Sequence, residues 1–145
     1  MPTLSAIPMS SPSTARDAGL AVLATAQTAR EAASDVFRSA AVLAGPGRAS
    51  PARAVRALDR RFEAAHETFE AMVAGLPVVR HTRLDAEVEL VREAFGKALA
   101  ALTRLRCEAT RPVPRLAEVR FLSAQVYSAL AHIQTTVGAI RRKMS

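Results

Sequence analysis

Apolar side chains recur along this chain at alternating steps of three and four residues. Between Thr82 and Ala109 they fall at Leu84, Val88, Val91, Phe95, Ala98, Leu102, Leu105 and Ala109, a heptad seam on one face of a helix. Val55, Leu58, Phe62, Ala65, Phe69 and Met72 repeat the spacing, with Leu76 extending it. Leu116, Val119, Ser123, Val126, Leu130, Ile133, Val137, Ile140 and Met144 repeat it again. The first such stretch reads Ala15, Gly19, Val22, Ala26, Ala29, Ala33, Val36, Ala40 and Leu43. Ala and Gly dominate it, so that helix can approach its neighbours closely while supplying less apolar area. Leu20, Leu23, Phe37 and Val42 lie beside or outside this seam and are expected to widen the core stripe, the alternative being a contact with a second subunit or partner. No stretch alternates with period two over a useful length, so strands are not predicted.

Breaks separate the four stretches. Gly45-Pro46-Gly47, the pair Gly75 and Pro77, and Arg111-Pro112-Val113-Pro114 cannot continue a helix. Ser13 or Thr14 is placed to cap the first helix, and Ser50 before Pro51 to cap the second. Thr82 is placed to cap the third, with Asp85 three residues on near the positive end of the helix dipole. Arg141, Arg142 and Lys143 suit the negative end of the fourth. The spacing predicts helices over about residues 14–44, 51–74, 83–110 and 115–143. Short connections make successive helices antiparallel. The fold predicted is all-α, an antiparallel up-down-up-down four-helix bundle over 14–145 behind a disordered leader at 1–13.

At 145 residues the chain is long enough for one such domain to bury a sizeable core. Charge adds a second layer. The net charge is +7, with 8 basic and 7 acidic residues before position 79 and 12 and 6 from there on. An excess of this sign suits a polyanion or an anionic surface. A competing reading is genome composition: 18 of the 20 basic residues are Arg and Ala is abundant, which is what a GC-rich bacterial genome writes by default. In the expected topology the first and third connections share one end of the bundle. That gathers Arg48, Arg53 and Arg56 with Arg104, Arg106, Arg111, Arg115 and Arg120, opposed locally by Asp59, Glu108 and Glu118. This Arg-rich pole is the candidate docking surface for phosphates or carboxylates, which guanidinium groups bind bidentately. Phe121 is its only interleaved aromatic, too little for stacking on single-stranded nucleic acid. Phe121 falls on the outward side of the last helix, with Leu122 and Tyr127 flanking the seam. Phe121 and Tyr127 mark either a protein contact or a cover over the alanine-rich first helix.

Catalytic chemistry has thin support. Glu63 and His66 have a metal-binding Glu-x-x-His spacing, but the heptad puts Glu63 on the outward side and His66 on a flank, and no second copy completes a site. No metal or cofactor is therefore expected, and no small-molecule substrate is evident. As a phosphoryl acceptor His66 would face repulsion from Glu67 and Glu70. His132 lies outward without a nearby Lys. The single Cys107 excludes an intrachain disulfide and sits near a helix C-terminus that opposes thiolate formation. Ser123, the one polar seam residue of the last helix, is expected to bond back to the Val119 carbonyl.

Three resemblances attach to short stretches. Arg61 and His66 resemble the Arg-x4-His pair of helical HEPN ribonucleases, although Phe62 stands where those enzymes place a polar residue. The resemblance implies an arginine stabilising phosphorane charge and a histidine moving a proton. The Ser/Pro-rich, uncharged stretch Met1–Thr14 resembles N-terminal signals of bacterial type III export. Residues 18–26 only imitate a cleaved secretory signal, since Arg16 is cancelled by Asp17. The alanine-rich first helix with outlying Leu and Phe resembles phasins and other amphipathic surface proteins, which implies a granule or membrane surface as partner. Taken together, the residues point to a non-catalytic, cytoplasmic bacterial interaction protein that binds another macromolecule through its helical faces and Arg-rich pole. Its partner is expected to be a protein, with a polyanion or a second copy as alternatives. A secreted effector or secretion accessory is the second reading and a HEPN-like ribonuclease the third.

Overall fold

The computed structural model describes residues 12–41, 51–76 and 81–144. The leader expected at 1–13 lies mostly outside them, as do Val42, Leu43, the Gly45-Pro46-Gly47 break and Arg48. Four helices follow in order: α1, Pro12–Ala41; α2, Pro51–Ala74; α3, His81–Ala109; and α4, Leu116–Lys143. Pro12 opens α1, where its fixed φ and missing N–H fit the first turn, so Ser13 and Thr14 lie within the helix instead of capping it. Likewise α3 opens at His81 and takes Thr82 into its first turn. Arg115 is the extended N-cap of α4 at φ −83° and ψ 104° and makes no side-chain cap bond.

The seams meet in one core. Every described α2, α3 and α4 seam residue from Val55 to Met144 is buried except Leu116, which packs half-buried against the cluster. Leu122, Ala94, Ala101 and Thr136 join them. On α1 the buried face runs Val22, Ala26, Ala29, Ala33, Val36 and Ala40. Leu23 packs against it, but Leu20 and Phe37 are exposed, contrary to the wider stripe expected of them.

Side-chain links fix the topology. Arg106 meets Asp59 and Arg92 meets Glu70, so α2 and α3 run antiparallel. Lys143 meets Glu87 near one end of α3 and α4, and Arg115 meets Glu108 at the other. Arg141 bonds the Arg16 carbonyl while Gln134 bonds that of Leu23, which makes α4 antiparallel to α1. The result is an up-down-up-down bundle. Its helices do not approach equally. α1 packs closely on α2 and α4, and α3 on α4, whereas α2 and α3 come together least of the neighbouring pairs. Residue size explains the difference: small seam residues on α1 admit close backbones, while Phe62, Phe69 and Phe95 fill the α2–α3 interface. Phe95 lies 5.6 Å from Phe62 and 5.5 Å from Phe69, ring centre to ring centre. At Gly19 an added Cβ would stand 2.6 Å from Arg141 Cγ, so the missing side chain lets the Arg141 stem lie across α1.

No described helix is long and apolar enough to cross a membrane.

Candidate functional site

The Arg-rich pole divides into arginines held by carboxylates and arginines left open. Helix α3 ends in a turn containing Pro112 and Pro114, which have no N–H, and α4 restarts at Arg115 with its backbone donor still unpaired by helix. Glu108 takes that donor. Its Oε2 accepts from the Arg115 backbone N at 3.0 Å and from Nε at 3.2 Å, and its Oε1 accepts from Nη2 at 2.7 Å. Arg111 Nε adds an ion pair at 3.6 Å. The Arg115 side-chain bonds, joined by its backbone donor and by Arg111, hold the Glu108 carboxyl at a pKa of about 2, well below the ordinary carboxylate value. At only 5% exposure, Glu108 clamps the α3–α4 turn.

Arg106 is also engaged, donating to Asp59 at 2.8 Å and to Thr103 at 3.2 Å. Arg106, Arg111 and Arg115, three of the eight arginines put forward from the sequence, therefore hold the bundle's end together. Arg53, Arg56 and Arg104 are exposed and Arg120 is half-buried. Among the described residues none of their guanidinium groups has an ion-pair or hydrogen-bond partner. Glu118, which the sequence sets against this pole, forms no ion pair with any of the four.

Beside the pole, α4 presents its outer face between two grooves. A groove of about 660 Å³ runs between α3 and α4 and is lined by Phe121, Lys97, Arg104 and a floor that includes Ala100, Ala101 and Ala124. Another, about 240 Å³, runs between α1 and α4 and holds Phe37 and Tyr127. Both share Ala124 and Ser128. Phe121 is 55% exposed and so does not cover α1. Tyr127 does meet α1: its hydroxyl accepts from Arg30 Nη2 at 2.7 Å, and that guanidinium carbon lies 4.6 Å from its ring centre. Arg30 also bonds Gln134, whose amide reaches the Leu23 carbonyl at 3.0 Å. Sequence reasoning missed this polar strip. The available signal was Gln134 and Tyr127, seven residues apart on one flank of the α4 seam. Leu122, placed beside that seam from the sequence, is buried.

Two of the residues weighed for chemistry, His66 and Ser123, make contacts within the bundle. His66 stacks on Phe95 at 4.9 Å between ring centres, and its Nε2 lies 3.8 Å from Glu70, which also binds Arg92. The groove of about 380 Å³ that holds His66 is lined by Asp59, Arg60, Glu63 and Arg106 but not by Arg61. Ser123 is buried and donates to the Arg120 carbonyl at 3.0 Å, one residue beyond the Val119 acceptor expected for it. Cys107 is exposed. Among the described residues no three His, Cys, Asp or Glu side chains gather as a metal site. No protein-family model matches this chain, and no curated protein or solved structure shows significant similarity to it.

Proposed function

We propose that this protein is a non-catalytic interaction module that binds an acidic macromolecular partner through its basic pole and the adjoining outer face of α4. The carrying observation is the set of uncompensated guanidinium groups on Arg53, Arg56, Arg104 and Arg120 at one end of the bundle, in a chain where Asp59 and Glu108 neutralise their neighbours. A guanidinium with no internal partner keeps its full capacity for bidentate carboxylate or phosphate contacts. The exposed rings of Phe121 and Tyr127 lie on the α4 face next to that charge, and aromatic side chains are enriched at protein interfaces. Binding is favoured over turnover because Ser123 is buried and bonded to the Arg120 carbonyl, and Arg61 does not line the groove that holds His66, so neither belongs to an assembled catalytic pair.

Retention on an immobilised polyanion tests the pole. Wild-type protein is expected to bind heparin at low salt and to elute progressively as salt rises. The triple variant Arg53→Glu, Arg56→Glu, Arg120→Glu spares every ion-paired arginine, so its helical circular dichroism should be unchanged while its retention is lost. Equal retention of the two proteins would remove the pole from the account.

A further inference from the structure

The two mixed surfaces between helices differ in charge. The α2–α3 groove is lined by Asp59 and Glu63 as well as Arg60 and Arg106, and Asp59 and Arg106 pair with each other. The α3–α4 groove is lined by two cations, Lys97 and Arg104, and by no carboxylate. Neither cation has an ion-pair partner among the described residues. They stand seven residues apart on α3, two turns and about 10.5 Å along one edge of the groove. Between that edge and Phe121 the floor is alanine, which lets a foreign backbone come close.

We infer that the α3–α4 groove receives an acidic amphipathic helix from a partner protein. Its apolar stripe packs over Ala100, Ala101 and Ala124 against the exposed Phe121 ring, and carboxylates two turns apart along its edge meet Lys97 and Arg104. This is helix-in-groove recognition, read by anchors at i, i+3, i+4 and i+7. The charge of the groove chooses the occupant. A second copy docked antiparallel through α4 would set each Lys97 and Arg104 edge against its own like charge, and an apolar segment without carboxylates would leave both cations uncompensated. The inference rests on the interaction reading above but on different residues from the polyanion test.

Two synthetic 18-residue helical peptides probe it, sharing one leucine and alanine stripe and flanked by Glu in one and by Lys in the other. Fluorescence anisotropy against the full chain is expected to show the Glu peptide binding at least about ten-fold more tightly at low salt, a gap that narrows as salt screens the rim charges. Ala124→Gln, which puts a longer neutral side chain over the floor from an exposed position, and Phe121→Ala, which removes the ring, are each expected to weaken the Glu peptide about ten-fold. Lys97→Glu with Arg104→Glu is expected to abolish the preference for Glu over Lys. The pole variant Arg53→Glu, Arg56→Glu, Arg120→Glu should bind the peptide as wild type does, so failure of the pole and failure of the groove give different results.

Four outcomes overturn the inference: no binding of the Glu peptide, no preference for it, unchanged affinity in both Ala124→Gln and Phe121→Ala, or a wild-type dimer in sedimentation that Ala124→Gln dissociates. Displacement of the Glu peptide by a single-stranded RNA oligonucleotide at stoichiometric concentration would reassign the groove to nucleic acid and likewise overturn it.

Discussion

Replacing Phe95 with alanine is expected to destabilise the bundle by about 3–5 kcal/mol, the range for a large aromatic removed from a core. For a chain of this size that corresponds to a fall in Tm of about 10–20 °C. Phe95 is 3% exposed and contacts the rings of Phe62, His66 and Phe69, all on α2. Elsewhere in the bundle close-approaching backbones share the burden of holding helices together. Between α2 and α3 the backbones approach least, so the aromatic cluster carries most of that contact. Phe95→Leu, which keeps most of the volume, should cost less than half as much. Thermal unfolding followed at 222 nm decides the matter. A loss below about 1 kcal/mol for Phe95→Ala would mean that α2 and α3 do not depend on this cluster.

The second large effect is acid sensitivity centred on Glu108. Its carboxyl has a pKa of about 2 in the folded protein and an ordinary carboxylate value near 4.5 when the bonds from Arg115 are broken. A group whose folded pKa is depressed adds stability above its unfolded pKa, and that contribution is lost as pH falls through the folded value. The window is therefore about pH 4.5 down to 2. Glu87, lowered chiefly by its bond from Lys143, acts in the same direction. Within that window unfolding of the wild type is expected to take up about one more proton than unfolding of Glu108→Gln. Tm plotted against pH should therefore fall more steeply for the wild type, with the variant already less stable at pH 7. Parallel curves for the two proteins would show that Glu108 does not clamp the α3–α4 turn.

The heptad seams made the architecture legible because helix burial depends on local periodicity, which a sequence displays directly. From Val55 to Met144 every position read as seam packs into the core, Leu116 only in part, and Ala94, Ala101, Leu122 and Thr136 beside the seams join them. Flanking residues were less legible. Phe37 directly follows the seam residue Val36, and whether such a neighbour is covered depends on the height of the side chains across from it. Ala33, Ser34, Ser123 and Ala124 line its groove and are too short to close over a ring. Phe121 is left open by alanines in the same way.

The pole was legible as a concentration of charge but not as a site. Which arginines stay free depends on where one carboxylate lands. Glu108 lies seven residues before Arg115 in sequence, and only the Pro112–Pro114 turn brings the Arg115 backbone donor and guanidinium back onto it. Spacing rules within a helix do not reach across such a turn. Arg106 is likewise absorbed by Asp59, 47 residues away on another helix. Tyr127, Arg30 and Gln134 form their strip across α1 and α4 for the same reason: contacts between helices follow registers that no single seam specifies.

The claim that this bundle works by holding another macromolecule is tested most directly by affinity purification from the source organism. Wild-type protein and the Arg53→Glu, Arg56→Glu, Arg120→Glu variant would be recovered in parallel, with bound proteins and nucleic acids identified in each. The account predicts a stoichiometric acidic partner retained by wild type and lost from the variant, released from wild type by raised salt. Recovery of the wild type alone, or of no acidic partner whose amount falls in the variant, would contradict it.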